Sequence, residues 1–121
     1  MNKVYLVTGI AGFIGSHIAE ELLKSPNNIV IGLDNFYSGS QRNLDIISSD
    51  NLVFYEGDIR DDKILNKIFS LNKIKYIFHE AAITSVQESI TNPILSNQVN
   101  VLGTLKLLNF ARLNNVKRVV F

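Results

Sequence analysis

The sequence predicts an α/β fold, a doubly wound parallel sheet with strand order 3-2-1-4-5. Short apolar runs rich in β-forming residues alternate along the whole chain with stretches whose apolar residues recur at helical spacing. Three glycines at intervals of three residues separate the first run from the first helix, and the second run ends on an aspartate. Such alternation implies right-handed crossovers between parallel strands, and the length suits a single domain, residues 1–121. The last residues fall in the fifth predicted strand, so we expect this domain to be incomplete.

The first strand, the first helix and the second strand form the unit around the glycines. Lys3–Thr8 is the short apolar run expected of a parallel strand that is covered on both faces. Ile14, Ile18 and Leu22 then fall at helical spacing, and a Ser-Pro-Asn-Asn sequence ends that helix. Asn28–Asp34 repeats the strand pattern. The glycine turn therefore joins a strand to a helix N-terminus.

The rest of the chain continues the alternation. The predicted elements are a short helix over Asn43–Ser49, a strand over Leu52–Tyr55, a helix over Arg60–Leu71, a strand over Lys75–His79, one long helix over Pro93–Leu113 and a strand over Val116–Phe121. The long helix has a clear start, because Asn92 is a good N-cap and proline suits the first helical position.

Composition and charge narrow the possible partners to small molecules. Lysine and arginine number 12 against 11 aspartate and glutamate residues, without a basic run, so nothing points to nucleic acid or an anionic membrane. The absence of cysteine excludes disulfides, thiolate catalysis and cysteine-based zinc sites, and we expect no metal site. No apolar run approaches a signal peptide or a membrane span, so we expect a soluble, cytoplasmic protein.

The glycine turn has the features of a phosphate site. Gly9 would allow the tight turn, Gly12 the close approach of a pyrophosphate, and Gly15 the close packing of the helix. The unpaired N–H groups and the positive dipole end of the helix then meet at one place. Strand, turn and helix occur in the required order, so a nucleotide is the expected ligand.

Two aspartates narrow the identity of the expected ligand. Asp34 ends the second strand nineteen residues after Gly15, where it could accept hydrogen bonds from ribose hydroxyls and would repel a 2′-phosphate. This favours NAD over NADP, and the alternative is a solvated loop aspartate. Asp58, after the third strand, could bind adenine with Ile59 packing on the ring, although capping of the next helix is nearly as good an explanation.

Several motifs together resemble a known family. They are Thr8–Gly15, Asp34-Asn35-Phe36, Gly57-Asp58-Ile59, His79-Glu80-Ala81-Ala82 with Ser85-Val86 and Ser89, and Asn100–Thr104. Together they resemble the extended short-chain dehydrogenases/reductases, in particular the NAD-dependent sugar-nucleotide epimerase/dehydratase family, and the resemblance covers the whole chain. Asn35-Phe36 through Leu44 is most similar to the UDP-glucose and UDP-N-acetylglucosamine 4-epimerase branch. The resemblance implies a Rossmann-like fold, NAD as cofactor and a nucleotide-sugar substrate.

The resemblance also implies which residues form the site. By this resemblance the pyrophosphate would contact Gly9, Phe13 and Ile14, and the adenosine would contact Asp34, Asn35, Phe36 and Ser38. The adenine would lie against Asp58 and Ile59, the nicotinamide against Ala81, Ala82 and Thr84, and Asn100 would also touch the cofactor. Weaker candidates for the substrate side are Thr84, Ser85 and Ser89. Asn100 could equally be a buried helix amide bonded to a neighbouring loop. We assign His79 a structural role, because no third ligand has metal-binding spacing.

The family's catalytic residues do not occur in residues 1–121. The family uses a tyrosine with a lysine four residues later, plus a serine or threonine. Here Tyr5, Tyr37, Tyr55 and Tyr76 are followed at the fourth position by Gly9, Gln41, Ile59 and Glu80. We therefore expect the N-terminal, cofactor-binding portion of an epimerase, inactive by itself and without its substrate domain. The alternatives are a dehydratase or decarboxylase of the same family, and a non-catalytic NAD-binding module or truncated remnant.

The long helix carries a further expectation about assembly. In the family it pairs with the following helix at a dimer interface. The predicted 93–113 helix would leave apolar residues such as Leu107 and Phe110 without their usual cover. The sequence therefore predicts a possible homodimer through this helix.

Overall fold

The computed structural model describes residues 2–121, which form a five-stranded, all-parallel sheet. The strands are β1 (Lys3–Thr8), β2 (Asn28–Asp34), β3 (Leu52–Glu56), β4 (Tyr76–His79) and β5 (Arg118–Val120). Their order is β3-β2-β1-β4-β5, as predicted. Thr8 at the end of β1 lies opposite Leu33 of β2 and His79 of β4, so the strands end together at one edge of the sheet.

Helices and one π-helical turn connect the strands. They are α1 (Phe13–Leu23), α2 (Gln41–Ile46), α3 (Asp62–Leu71), α4 (Val86–Thr91), α5 (Pro93–Asn97), the π-helical turn (Gln98–Gly103) and α6 (Thr104–Leu113). Asp61 caps α3, and its side chain accepts a hydrogen bond from the Lys63 N–H. Asn92 caps α5 in the same way with Pro93 in its first turn, as the sequence predicted.

Two cores sandwich the sheet, because successive residues of a strand point to opposite faces. On one face α1 and α2 cover Val7, Ile10, Val30 and their neighbours. On the other face α3 and α6 cover Leu6, Ile31, Leu33 and Ile77, with Leu65, Ile68 and Leu107 contributed by the helices. The sheet is therefore held between two helical layers, and its carboxyl edge is left for the loops.

The structure corrects three expectations about the second half of the chain. Helix α4 lies in a segment where no helix was predicted. The predicted 93–113 helix is one continuous helical segment, but a π-helical turn interrupts its α-helical geometry. The fifth strand is limited to Arg118–Val120, shorter than the predicted Val116–Phe121, and Asn115, with a φ of 57°, lies in the turn that precedes it.

The expectation that Leu107 and Phe110 lack cover is wrong. Leu107 is fully buried in the core, and Phe110 stacks on Phe69 with ring centroids 5.6 Å apart. The exposed apolar side chains of this region are instead those of Ile94, Val101, Leu102, Leu105 and Leu108. Within residues 2–121, every helix falls short of the length and hydrophobicity that a bilayer crossing requires.

Candidate functional site

A cleft of about 690 Å³ opens at the carboxyl edge of the sheet. Its walls come from the glycine turn after β1, the segments that follow β2, β3 and β4, and the π-helical turn. The cleft lies where the connection from β1 runs to one side of the sheet and that from β4 to the other, which is where doubly wound sheets bind their ligands. Its volume is in the range of small-molecule and cofactor sites.

The glycine turn presents an open helix N-terminus to this cleft. Gly9 has a φ of 68°, and its N–H donates to the Leu33 carbonyl at 2.8 Å, which fixes the turn to β2. Gly12 is the N-cap of α1 and has no side chain with which to cap it. Because the first N–H groups of a helix have no partner within the helix, those of α1 remain for an acceptor in the cleft. Phe13 and Ile14, both exposed, flank this position.

Gly15 keeps the turn and α1 in close contact. A Cβ at this position would lie 2.1 Å from the Gly9 carbonyl oxygen and 3.0 Å from the Ile10 Cα. Only glycine allows that approach without movement of the backbone. This is the close packing that the spacing of the glycines predicted.

Asp34 is buried at the end of β2 and holds two backbone groups. Its Oδ2 accepts from the Ala11 N–H at 2.9 Å, and its Oδ1 accepts from the Phe36 N–H at 2.8 Å. Each oxygen has a second lone pair, so the carboxylate can also accept from a ligand hydroxyl. Asp34 is thus a fixed acceptor that joins the glycine turn to the segment after β2, which excludes the alternative of a solvated loop aspartate.

Phe36 contributes its backbone rather than its ring to this region. Its φ is 60°, and its ring packs on Phe54, with centroids 5.6 Å apart, in the core under α1 and α2. Its side chain therefore does not line the cleft.

Asp58 forms a tight ion pair with Arg60 at the far wall of the cleft. Its Oδ1 accepts from the Arg60 N–H at 2.8 Å and from Arg60 Nε at 3.0 Å, and its Oδ2 accepts from Arg60 Nη2 at 2.7 Å. Asn35 Nδ2 lies 3.4 Å from the same Oδ2. These hydrogen bonds from Arg60 hold the pKa of the Asp58 carboxyl below its ordinary value, so it is ionised at neutral pH.

Asn100 in the π-helical turn bonds to the loop after β4. Its Oδ1 accepts from the Ile83 N–H at 2.8 Å, and its Nδ2 donates to the Ile83 carbonyl at 2.9 Å. The structure thus shows the alternative that the sequence left open, a helix amide bonded to a neighbouring loop. Asn100 also lines the cleft.

His79 lies in a buried chain of hydrogen bonds below the cleft. Its Nδ1 is 2.6 Å from Thr8 Oγ1, and its Nε2 is 2.8 Å from Thr104 Oγ1. Thr8 Oγ1 also accepts hydrogen bonds from the backbone N–H groups of Glu80 and Ala81. Thr104 donates to the Asn100 carbonyl at 2.7 Å, so its Oγ1 accepts from Nε2–H; Thr8 Oγ1 already accepts two N–H bonds, so its hydroxyl donates to Nδ1, and we assign the imidazole as neutral with its proton on Nε2. Burial also lowers the pKa of His79, which favours the same neutral form. These bonds support the structural role predicted for His79, and its side chain also lines the floor of the cleft.

The cleft brings together most of the residues expected to bind a cofactor. Its lining includes Gly9, Gly12, Phe13, Ile14, Gly15, Asp34, Asn35, Ser38, Asp58, Ile59, Ala81, Ala82, Thr84 and Asn100. Ser85 and Ser89 do not line the cleft. Ser85 is the N-cap of α4, and its Oγ accepts from the Glu88 N–H. Ser89 lies within α4, and its Oγ donates to the Val86 carbonyl. Of the candidates for the substrate side, only Thr84 therefore lines the cleft.

Sequence reasoning missed several other lining residues, among them Tyr37, Glu80, Leu95, Val99 and Arg60. Burial raises the pKa of Glu80, as expected for a carboxyl that is partly withdrawn from water. Leu95 and Val99 are four residues apart and share one face of the predicted long helix, so helical spacing could have shown that they lie together. Arg60 follows Asp58 by two residues, a spacing at which an aspartate commonly bonds to the local backbone.

Comparison with known proteins identifies relatives along nearly the whole chain. The family whose sequence model matches residues 6–121 is described as GDP-mannose 4,6 dehydratase. UDP-glucose 4-epimerase of Neisseria meningitidis serogroup C is 41% identical over 124 residues, an alignment that covers 100% of this chain and 36% of that protein.

Solved structures agree in fold. UDP-glucose 4-epimerase of Thermus thermophilus, in complex with NAD, superposes with a TM-score of 0.87 at 38% identity, covering 98% of this chain and 36% of that one. UDP-N-acetylglucosamine 4-epimerase of Methanobrevibacter ruminantium, in complex with UDP-N-acetylmuramic acid, gives 0.88 at 39% identity, covering 99% and 37%. The present chain thus spans little more than a third of the length of these relatives. The agreement of motifs, fold and family match shows that the chain belongs to the NAD-dependent epimerase/dehydratase family.

Proposed function

We propose that this chain is the NAD-binding domain of a nucleotide-sugar 4-epimerase. The observation that carries the proposal is the fixed Asp34 carboxylate, which lies at the same cleft as the open N-terminus of α1. An anion-binding helix start beside a hydroxyl-binding carboxylate suits a dinucleotide with a free ribose. The NAD complex of the similar Thermus enzyme supports the same cofactor.

The residues of the cleft fit the parts of NAD in order along the sheet edge. The first turn of α1, at Phe13 and Ile14, suits the pyrophosphate. Asp34 suits the adenosine ribose, and Asp58 with Ile59 suits the adenine, where a carboxylate acceptor adjoins an apolar side chain. The small Ala81 and its neighbours after β4 leave room for the nicotinamide. Gly9 also holds the turn close to the segment after β4, because a Cβ at this position would lie 2.7 Å from the backbone nitrogen of Ala81.

The proposed reaction needs more than this domain. NAD supplies a reversible hydride acceptor for the carbon that changes configuration. Residues 1–121 contain no tyrosine followed by a lysine at the fourth position, so we expect them to bind NAD without converting UDP-glucose or UDP-N-acetylglucosamine. Conversion of either sugar nucleotide by the purified chain, followed by chromatography, would contradict this expectation.

A dehydratase of the same family is the second candidate. The specific observation in its favour is that the matching family model is that of GDP-mannose 4,6 dehydratase. The relatives named above are 4-epimerases at about two-fifths identity, and they favour the first candidate. Both candidates use NAD in the same cleft.

We also propose self-association through the outer side of the α5–α6 region. Val101, Leu105 and Leu108 recur at helical spacing and expose 58%, 61% and 38% of their surface, and exposed apolar side chains that adjoin one another are typical of an interaction surface. Light scattering of the chain should therefore show a dimer at micromolar concentration, and replacement of Leu105 by lysine should return it to a monomer. A wild-type monomer under those conditions would contradict the proposal. A cytoplasmic location stays a prediction.

Titration calorimetry with NAD and NADP tests the cofactor. The wild-type chain should bind NAD more tightly, because a 2′-phosphate would face the buried Asp34 charge. Asp34→Asn removes that charge and keeps one acceptor oxygen, so it should narrow the difference between the two cofactors. Asp45→Asn is the matched control, since Asp45 is an exposed carboxylate of α2 bonded to Gln41, and it should leave the difference unchanged. Tighter binding of NADP than NAD by the wild-type chain would overturn the proposal.

A further inference from the structure

We propose that Arg60 is a positioning residue that fixes the Asp58 carboxylate as a reader of the purine ring, so that the cleft selects a 6-amino purine over a 6-oxo purine. The inference rests on the proposed function, because it requires that the adenine end of NAD lies beside Asp58. It concerns the choice of base in the dinucleotide.

The hydrogen bonds around Asp58 leave a single position for a ligand donor. An ionised carboxylate has about four acceptor positions, two on each oxygen. Arg60 fills both positions on Oδ1, with its backbone N–H at 2.8 Å and Nε at 3.0 Å, and one on Oδ2, with Nη2 at 2.7 Å. The fourth position, on Oδ2, is held only by Asn35 Nδ2 at 3.4 Å, the longest of the four contacts. An amino group entering the cleft can take the place of this weak donor.

Arg60 is itself held from the opposite wall of the cleft. Its Nη1 donates to Gln98 Oε1 in the π-helical turn at 3.4 Å, and its carbonyl accepts from Lys106 Nζ in α6 at 3.0 Å. Lys106 also pairs with Asp62 at the start of α3, at 3.2 Å. Arg60 is therefore tied to two elements besides its own loop. The two-point contact with Asp58 limits the rotation of the guanidinium and of the carboxylate, and the Lys106 bond holds the Arg60 backbone, whereas the 3.4 Å contact with Gln98 is as weak as that of Asn35.

A carboxylate held in this way discriminates by chemistry. The arginine keeps it ionised, and an ionised carboxylate accepts hydrogen bonds but cannot donate one. The amino group at C6 of adenine is a donor and suits the free position on Oδ2. The oxygen at C6 of hypoxanthine is an acceptor, which at the same position would face the carboxylate without a proton between them, and the N1–H donor of hypoxanthine could reach Oδ2 only if the base shifted. Without the side chain of Arg60, Asp58 would keep the backbone bond but could rotate, and this selection would weaken.

Calorimetric titration with NAD and with nicotinamide hypoxanthine dinucleotide tests the inference. These two dinucleotides share the pyrophosphate, both riboses and the nicotinamide. The wild-type chain should prefer NAD by about tenfold or more, the usual effect of one hydrogen bond to a charged acceptor. In Arg60→Met that preference should fall to about threefold or less. Arg60→Lys, which keeps the charge but lacks the two-point geometry, should lie between them.

Arg112→Met is the matched control. Arg112 lies in the last turn of α6 and bonds to Asn109 on the exposed surface, away from the residues that line the cleft. This variant should keep the wild-type preference. Circular dichroism and thermal unfolding of all four proteins establish that each is folded.

The outcomes separate the inference from the function on which it rests. A preference that falls in Arg60→Met and persists in Arg112→Met supports the inference. Equal binding of both dinucleotides by the wild-type chain, or a preference unchanged in Arg60→Met, overturns the role of Arg60 and leaves NAD binding intact. If the folded wild-type chain binds neither dinucleotide, the proposed function and the inference both fail.

Discussion

Replacing Gly15 by alanine tests the close contact between α1 and the glycine turn. Two effects of this substitution have opposite signs. Alanine in a helix is favoured over glycine by about 1 kcal/mol, so helix propensity alone would stabilise the chain. The new Cβ, however, would lie 2.1 Å from the Gly9 carbonyl oxygen, and all three of its nearest neighbours are backbone atoms that cannot rotate away.

The steric effect should outweigh the propensity. To reach ordinary contact at 3.4 Å, the Gly9 oxygen and the new Cβ must separate by about 1.3 Å, which moves α1 relative to the turn. Overpacking of this kind costs about 1–3 kcal/mol, and a clash with backbone belongs at the upper end of that range. We expect a net loss of about 1–2 kcal/mol, which is a fall in Tm of roughly 4–8 °C for a domain of this size.

Urea and thermal unfolding measure this loss, and Gly57→Ala is the control. The three atoms nearest to a Cβ on Gly57 all belong to the side chain of Ile64, at 3.0–3.4 Å, so that variant should lose less than about 1 kcal/mol. Calorimetry should also show weaker NAD binding by Gly15→Ala, since the N–H groups of α1 move with the helix. A Gly15→Ala chain as stable as the wild type, with unchanged affinity for NAD, would refute the argument.

Two further predictions concern the hydrogen bonds beneath the cleft. Burial lowers the pKa of His79 in the folded chain below the ordinary histidine value of about 6.5. Below pH 6.5 the unfolded chain therefore binds more protons than the folded chain, so the free energy of unfolding should fall as the pH drops, by up to about 1 kcal/mol between pH 6.5 and 5.5. Urea unfolding should show this slope in the wild type and a flatter one in His79→Asn; equal slopes would contradict the assignment of a neutral imidazole. Asn100→Leu removes both hydrogen bonds to Ile83, so it should lower the free energy of unfolding by about 2 kcal/mol and speed hydrogen exchange at the Ile83 amide. The control Asn109→Leu, at an exposed position of α6, should change neither quantity. Unchanged exchange at Ile83 in the Asn100 variant would show that the loop does not depend on this amide.

The first half of the fold was accessible from the sequence because its signals are local. The strand before the glycines, the helix after them and Asp34 at the end of β2 follow each other within Lys3–Asp34, and each has its own pattern of residues. The strand order also followed, because alternating strands and helices permit few arrangements. Both predictions are confirmed.

The misses in the second half have specific causes. Ser85 and Glu88 form the serine-to-glutamate spacing of a helix start, and this signal for α4 was overlooked. The π-helical turn was missed because no residue type marks it and its six residues, Gln98–Gly103, are too few for a change of periodicity to be recognised from the sequence. That turn nevertheless sets the positions of Gln98 and Asn100.

Within the site, residue types were predictable and their partners were not. The spacing of the glycines and Asp34, with a strand before the turn and a helix after it, predicted a nucleotide site. The grip of Arg60 on Asp58 depends on a side-chain rotamer, and the bonds between Asn100 and Ile83 join residues from two different elements. Such contacts form only when the carboxyl-edge loops meet, so they require the tertiary structure.

The central claim is that one NAD molecule occupies the whole cleft, and amide chemical shifts of the isotope-labelled chain during titration with NAD test it most directly. We predict that the amides of Phe13 on α1, Ile59 after β3 and Ala82 after β4, which all line the cleft, shift together along one saturation curve. The exposed outer side of α5–α6 should stay unchanged at constant protein concentration. Shifts confined to that outer side, or no shifts at the cleft at all, would contradict the account.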